Sequence, residues 1–443
     1  MELRSCVFFA VTALWIQFSS SSEMAVDIES PRNVTAPVIE PLNNNMANTV
    51  NKFGYKLLLK MMNQKKDDNL VISPSGIAGL LAIALLGTVG TTYEEIAETL
   101  GFSQDIFINR EYHHQLGDLL QSLNSNVSSK TIFADAIFVD TQTQLREMYL
   151  NYLYDVYHGE VLQTDFKQSE EAKNEINEWV SNHTQGQIDE FIKHSLPTTT
   201  KIVLLSALYF KGQWAQPFIP EYTAKGAFKT GKHDVMADLM LTYGNFPYAL
   251  SEKRDFTMIG LPYNDSETMM YAIKPKKLSL LELLEKIDYD TIEATINQMS
   301  DKKKCVIRFP KMELKSTINL EKSLKSIGIH DMFTPGAANF ALMVDNPIGI
   351  ANETDDELNA KLDNKIIKDM LDSQPNPGIH VDSVIHDVKI SINEFGTEAA
   401  AATAAILART AEQFYADSPF YMFIRNEKTK LVTFSAVIFD PTI

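Results

Sequence analysis

Cysteine is almost missing from this chain: only Cys6 and Cys305 occur in 443 residues. A disulfide scaffold is therefore excluded as the source of stability. There is no Cys-x-x-Cys and no His-Glu-x-x-His, so neither common zinc pattern is present. A Gly-x-Ser-x-Gly elbow and a phosphate-binding glycine loop are missing too. The 9 histidines are scattered, and the adjacent pair His113-His114 does not share one helix face. These absences point away from an enzyme and give no reason to invoke a metal or cofactor. Positive charge is also short. Lys and Arg number 40 against 57 Asp and Glu, a net charge of -17, which argues against a nucleic-acid partner. The one tight basic run, Lys302-Lys303-Lys304, reads as a solvated turn, and no basic stripe offers a site for a polyanion such as heparin.

Long apolar runs are lacking as well. The stretch Cys6 to Phe18 is too short to span a bilayer. With Arg4 before it and a serine run ending at Ser22, it reads as a secretory signal over residues 1–22; a buried strand is the alternative. An exported chain freed of that segment would keep only Cys305, read here as a small buried hydrophobe in the strand-like Lys304–Arg308. Sequons at Asn33, Asn126, Asn182, Asn264 and Asn352 suit a secreted glycoprotein. Residues 23–45, with Pro31, Pro37, Pro41 and Asn43-Asn44-Asn45, read as a mobile arm.

What is present is material for a large core, with 45% hydrophobic residues. No Gly/Ser-rich or Pro-rich linker interrupts the chain after residue 50, so residues 46–443 read as one domain. Helical spacing over Thr49–Met62, an all-round apolar Pro74–Leu86 and an amphipathic Glu171–Ile192 ending near Gly186 predict helices. Thr92-Tyr-Glu-Glu95 reads as a capping box opening a further helix. Strands are predicted at Thr131–Val139, Ile202–Phe210, Thr257–Leu261, Met269–Ile273, His386–Glu394, Phe420–Ile424 and Leu431–Phe439. This order suits an α+β fold with a mixed or antiparallel sheet. Residues 344–378 form an acidic insertion, bounded by prolines, whose Leu358, Leu362, Ile366 and Met370 are spaced as on one helix face. It reads as a tolerated surface loop or as an exosite for a partner.

The stretch after Glu394 does not fit its neighbours. Six alanines in positions 398–405 favour a helix, yet strand-like segments lie on both sides. Other motifs place it in context: Asn69-Leu-Val-Ile-Ser-Pro74, Asn177-Glu-Trp-Val-x-x-x-Thr184-x-Gly186-x-Ile188, Leu204 to Trp214 with Phe218, Leu261-Pro-Tyr263, Phe309-Pro-Lys311 and Ser418-Pro-Phe420. In this order and spacing the chain resembles the serpin family over nearly all of residues 46–443. The resemblance implies three β-sheets, about nine helices and an exposed reactive-centre loop, here residues 396–413. It implies a suicide substrate: a serine protease cuts the loop, and the cleaved loop enters the main sheet as a strand.

Under that resemblance the hinge comprises Glu394, Gly396, Thr397, Glu398, Ala399, Ala400, Ala401, Ala402 and Thr403. Small side chains slide between strands and lose little entropy on burial, and Gly396 offers the backbone freedom of a hinge. The family count from Glu394 puts the attacked bond after Thr410, or after Arg409 in the shorter version. Arg409 is the one basic residue in the loop, so cleavage at Arg409-Thr410 by a trypsin-like enzyme is the expectation. Cleavage after Leu407 or Thr410 is the alternative. A polar cluster that governs sheet opening would comprise Ser73, Gly76, Ser206 and His386; the family usually has serine at position 76 and asparagine at 206. With the shorter Ser206, a water or Ser75 would take over as partner, and His386 reads as a satisfied core histidine. The expected protein is a secreted, monomeric inhibitor regulating an extracellular cascade such as clotting or immune activation. A non-inhibitory carrier or storage protein is the alternative.

Overall fold

A computed structural model describes residues 42–65, 67–123, 130–344, 373–395 and 411–443. The reactive bond, the hinge from Gly396 onward, the signal segment, Asn33, Asn126, Asn352 and the centre of the acidic insertion lie outside the described residues.

The amino-terminal half alternates helices with single strands. Helix α1 (Leu42–Gln64) leads into β1 (Leu70–Ile72), α2 (Pro74–Leu85), α3 (Gly90–Leu100) and α4 (Ile106–Ser122). Strand β2 (Lys130–Asp140), α5 (Glu147–Tyr157), β3 (Glu160–Thr164), α6 (Ser169–His183) and β4 (Ile202–Lys211) follow. A run of strands comes next: β5 (Ala224–Lys229), β6 (Asp234–Ser251), β7 (Phe256–Pro262) and β8 (Thr268–Pro275). After α7 (Leu280–Lys286) and α8 (Tyr289–Gln298) come β9 (Lys302–Pro310), β10 (Met312–Asn319) and α9 (Glu321–Lys325). The chain closes with β11 (Val381–Ile392), β12 (Glu412–Tyr415), β13 (Phe420–Asn426) and β14 (Val432–Ile438).

Five strands pair in the order β10-β11-β4-β2-β3. The other nine form a network through the 18-residue β6. Its first half pairs with β5 and β9 and its last residues with β7, so one strand joins two sheets. Three sheets thus result, and the fold is α+β as expected, with nine α-helices among the described residues.

Helix α2 is the buried axle of the structure. Ser73 caps it, its side chain accepting the Gly76 N–H at 3.1 Å, and Pro74 occupies the first turn, where no N–H is needed. All of its residues are buried. One face of β4 packs towards this helix. The other contributes Val203, Leu205 and Ala207 to a cluster with Ile176, Trp179 and Val180 of α6. Strand β4 is therefore buried at every position but its last, which explains its unbroken apolar sequence.

Several local expectations change. Thr92 is not a cap: α3 starts two residues earlier, at Gly90. Thr92 instead accepts the Asn339 N–H at 3.1 Å, and Glu95 receives the His330 and Asp331 N–H groups at 2.7 Å each. Tertiary loops took both side chains. Helix α6 ends at His183, not near Gly186, because Thr184 bonds back to Val180 and accepts the Ile188 N–H, turning the chain. Lys302-Lys303-Lys304 opens strand β9 rather than a turn, with all three side chains exposed. Helix α1 begins at Leu42, inside the stretch read as an arm, and β12 claims Glu412 and Gln413 from the stretch read as loop. Cys305 is a free, buried thiol, pushed up to about 11 by burial.

Gly54 marks the closest approach of α1 to α2: a β-carbon there would lie 2.3 Å from Pro74 Cβ. Gly54→Ala should therefore destabilise the uncleaved protein by about 1–3 kcal/mol despite better helix propensity, read as a lower thermal midpoint.

Candidate functional site: the β4–β11 seam

Strands β4 and β11 run parallel and pair directly from Ile202↔Val381 to Phe210↔Ile390. Chain direction gives this seam its interest. Residues 396–410 connect the exit of β11 to β12, which lies in the other strand network beside β9. A segment folding back from the end of β11 would run antiparallel to β11, and hence antiparallel to β4 as well. It would exchange one parallel ladder for two antiparallel ones, the slightly more stable kind.

Midway along the seam, Ser206 on β4 lies opposite His386 on β11. Both are fully buried over the start of α2. The Ser73 N–H donates to His386 Nε2 at 2.9 Å, so this nitrogen carries no proton and the ring is neutral. Burial holds the imidazole down at about 3. Ser75 does not compensate for the short Ser206: its hydroxyl lies 3.2 Å from that of Ser73. Ser206 Oγ and His386 Nδ1 have no hydrogen-bond partner among the described residues. A β-carbon on Gly76 would stand 2.8 Å from both Ser206 Oγ and Leu208 Cδ1, so residues 76 and 206 are mutually constrained. The four residues singled out in the sequence do come together, around a shared helix terminus.

The exit of β11 is held by a second set of contacts. Trp214 Nε1 donates to the Asn393 carbonyl at 2.8 Å, and the Phe218 N–H to the Glu394 carbonyl at 3.2 Å. The Trp214 ring stacks on Tyr263 at 4.4 Å. The Glu394 carboxylate is almost buried, 2.9 Å from Lys311 Nζ, and accepts the Thr223 hydroxyl at 3.0 Å. Burial pushes its pKa up, but Lys311 and Thr223 outweigh this and hold it below its ordinary value. Phe395, next in the chain, is exposed. Sequence reasoning had placed Glu394 in the hinge but had assigned no partner to it. Lys311 and Thr223 are distant in sequence and carry no local signal. On the far side of the loop, Lys274 donates to the Tyr415 carbonyl at 2.7 Å and pairs with the Asp417 carboxylate.

The opposite face of the seam is covered by α6 and the segment after it. Asn177 Oδ1 accepts the Phe191 and Ile192 N–H groups, fastening that segment to the helix. Lys389 of β11 reaches the Gln187 carbonyl at 3.4 Å. Of the predicted glycosylation positions, Asn182 lies exposed on α6 and Asn264 exposed after β7.

Replacing Lys311 by Met should lower the thermal midpoint of the uncleaved protein by an amount equivalent to about 1 kcal/mol at neutral pH, because Lys311 is half-exposed. The Glu394 pKa is depressed, so the stabilisation exists above the ordinary carboxylate range and is lost as pH falls. Melting curves of wild type and Lys311→Met should therefore converge below about pH 4.

Comparison with known proteins agrees with this geometry. The family described as Serpin (serine protease inhibitor) matches residues 48–441. Serine protease inhibitor 28Dc of Drosophila melanogaster is 28% identical, covering 90% of this chain and 80% of its own length. Plasminogen activator inhibitor 1 of Neovison vison is 29% identical, covering 88% of this chain and 91% of its own. The structure of thyroxine-binding globulin in complex with thyroxine superposes with a TM-score of 0.76 at 23% identity, covering 90% of this chain and 99% of that one. Proteins named as protease inhibitors and a thyroxine-binding globulin thus share the fold. The chain belongs to the serpin family.

Proposed function

We propose that this protein is a secreted inhibitor of a trypsin-like serine protease, which it traps by cleavage of its loop at Arg409-Thr410. The observation that carries the reading is the closed, parallel β4–β11 seam, with the loop departing from the end of β11. After attack on the Arg409 carbonyl, the protease would be held as an acyl-enzyme on the new carboxyl end. Residues from Gly396 onward would then enter the seam, and Ala399 to Thr403 offer no bulk to stop them.

Strand β11 has 12 residues, enough to receive most of the stretch from Gly396 to Arg409. One additional ladder of about ten backbone hydrogen bonds, at about 1 kcal/mol net each, gives a driving force on the order of 10 kcal/mol. That compares with the stability of a whole domain. Insertion must separate β4 from β11, which means breaking the contacts over Ser73 and displacing the α6 segment. The exposed sequons at Asn182 and Asn264 and the leader-like residues 1–22 support secretion.

The altered cluster favours a second reading, a non-inhibitory serpin. Position 76 has no side chain and stands close against Ser206 and Leu208, a fit that holds α2 tightly to the closed sheet. A sheet that opens slowly would leave the protein a substrate rather than a trap.

Equimolar trypsin should give an SDS-stable band at the summed mass, and Arg409→Ala should abolish it. Mass spectrometry of the released peptide locates the cut. Loop cleavage should also raise the thermal midpoint by about ten degrees, since about 10 kcal/mol is gained on insertion. A clipped loop, free active trypsin and an unchanged midpoint would favour the non-inhibitory reading.

A further inference from the structure

The polar row across the five-stranded sheet has another member that the sequence motifs do not mark. Asp135 on β2 lies directly opposite Ser206 on β4, which in turn lies opposite His386 on β11. Residues opposite one another share a sheet face, so carboxyl, hydroxyl and imidazole form one line beneath the strands, towards α2. Asp135 Oδ2 lies 3.9 Å from where a Gly79 β-carbon would be. Asp135 Oδ1, Ser206 Oγ and His386 Nδ1 are all buried without a hydrogen-bond partner among the described residues.

We infer that Asp135 is the proton-responsive member of this row: its ionisation penalises the closed sheet and promotes the opening that admits a strand. As a neutral acid the carboxyl is a hydrogen-bond donor that can serve Ser206. As an anion it is a buried charge with no cation beside it. Among the described residues the surrounding elements supply none. Helix α2 has no ionisable residue from Pro74 to Leu85, and α4 contributes Leu120 at this point. Strand β4 offers only the Ser206 hydroxyl, and β11 only the neutral His386. The neighbouring Asp387 belongs to the opposite face, where it accepts the Thr317 hydroxyl at 2.5 Å.

Burial raises the Asp135 carboxyl to about 7, with the Ser206 hydroxyl pulling the other way. His386, held at about 3, stays neutral throughout the physiological range. The closed sheet therefore binds a proton at Asp135 more tightly than an opened sheet, in which water reaches the carboxyl. Stability of the closed form is fully present below the ordinary carboxylate range and is lost as pH rises through about 7. At higher pH the full penalty operates and contributes to the readiness of the seam to part.

This inference rests on the strand-insertion reading for its biological meaning, but its test needs no protease. Uptake of a synthetic peptide of residues 396–409 by the uncleaved protein would be followed by native gel from pH 5.5 to 7.5, alongside thermal unfolding. Wild type should take up the peptide about tenfold faster at pH 7.5 than at pH 5.5 and should melt lower at pH 7.5. Asp135→Asn should flatten both pH profiles; Asp135→Ser provides the same comparison if the amide variant fails to fold. A wild type indifferent to pH, or an Asp135 variant that keeps the full dependence, would overturn the inference. Peptide uptake that follows Asp135 without any protease being trapped would sink the inhibitory reading and leave this one standing.

Discussion

The direct parallel pairing of β4 with β11 is the constraint on which the rest of the structure depends. A parallel pair in the middle of a sheet can accept a third strand antiparallel to both, and the chain leaving β11 is oriented to supply one. The closed seam then needs restraint. It has His386 bonded to the Ser73 N–H midway, and Trp214, Thr223 and Lys311 gripping Asn393 and Glu394 at the exit. Helix α6 and its trailing segment cover the face opposite α2.

These restraints differ in kind. The exit uses a nearly buried carboxylate matched with a cation and a hydroxyl, so its polar groups are satisfied. The centre of the seam is under-satisfied: among the described residues, three polar atoms of Asp135, Ser206 and His386 have no partner. Buried polar groups without partners cost free energy. Such a cost, borne by the closed sheet and relieved on opening, lowers the barrier to rearrangement. The exit contacts secure the ground state, while the central row makes it easier to leave. On the proposed inhibitory reading, a sheet that holds before cleavage and parts promptly afterwards needs both.

Much of this was legible in the sequence because the signal was local. The apolar β4, the Ser73-Pro74 start of α2 and the alternation in β11 follow from burial and capping along one segment. The hinge composition was also readable, since small side chains over Ala399–Thr403 form an unbroken local pattern. Asp135 could have been noticed as a lone charge within the apolar run Thr131-Ile-Phe-Ala-Asp-Ala-Ile-Phe-Val139. Its importance was not readable, because that depends on which residues stand beside it on β4 and β11. The Thr92 cap and the carboxyl end of α6 were misjudged for the same reason: distant backbone at Asn339 and a turn locked by Thr184 decided them.

Sequence by itself determined the fold class and the family, and it supplied the small side chains of Ala399 to Thr403 and Arg409 as the one basic residue between Gly396 and Gln413. Each follows from residue type and spacing along the chain. Tertiary structure alone decided that β4 and β11 are neighbours, that Glu394 meets Lys311, and that Asp135, Ser206 and His386 form one buried row. These pairings join residues tens to hundreds of positions apart. Strand order and register bring them together, and no local propensity encodes either.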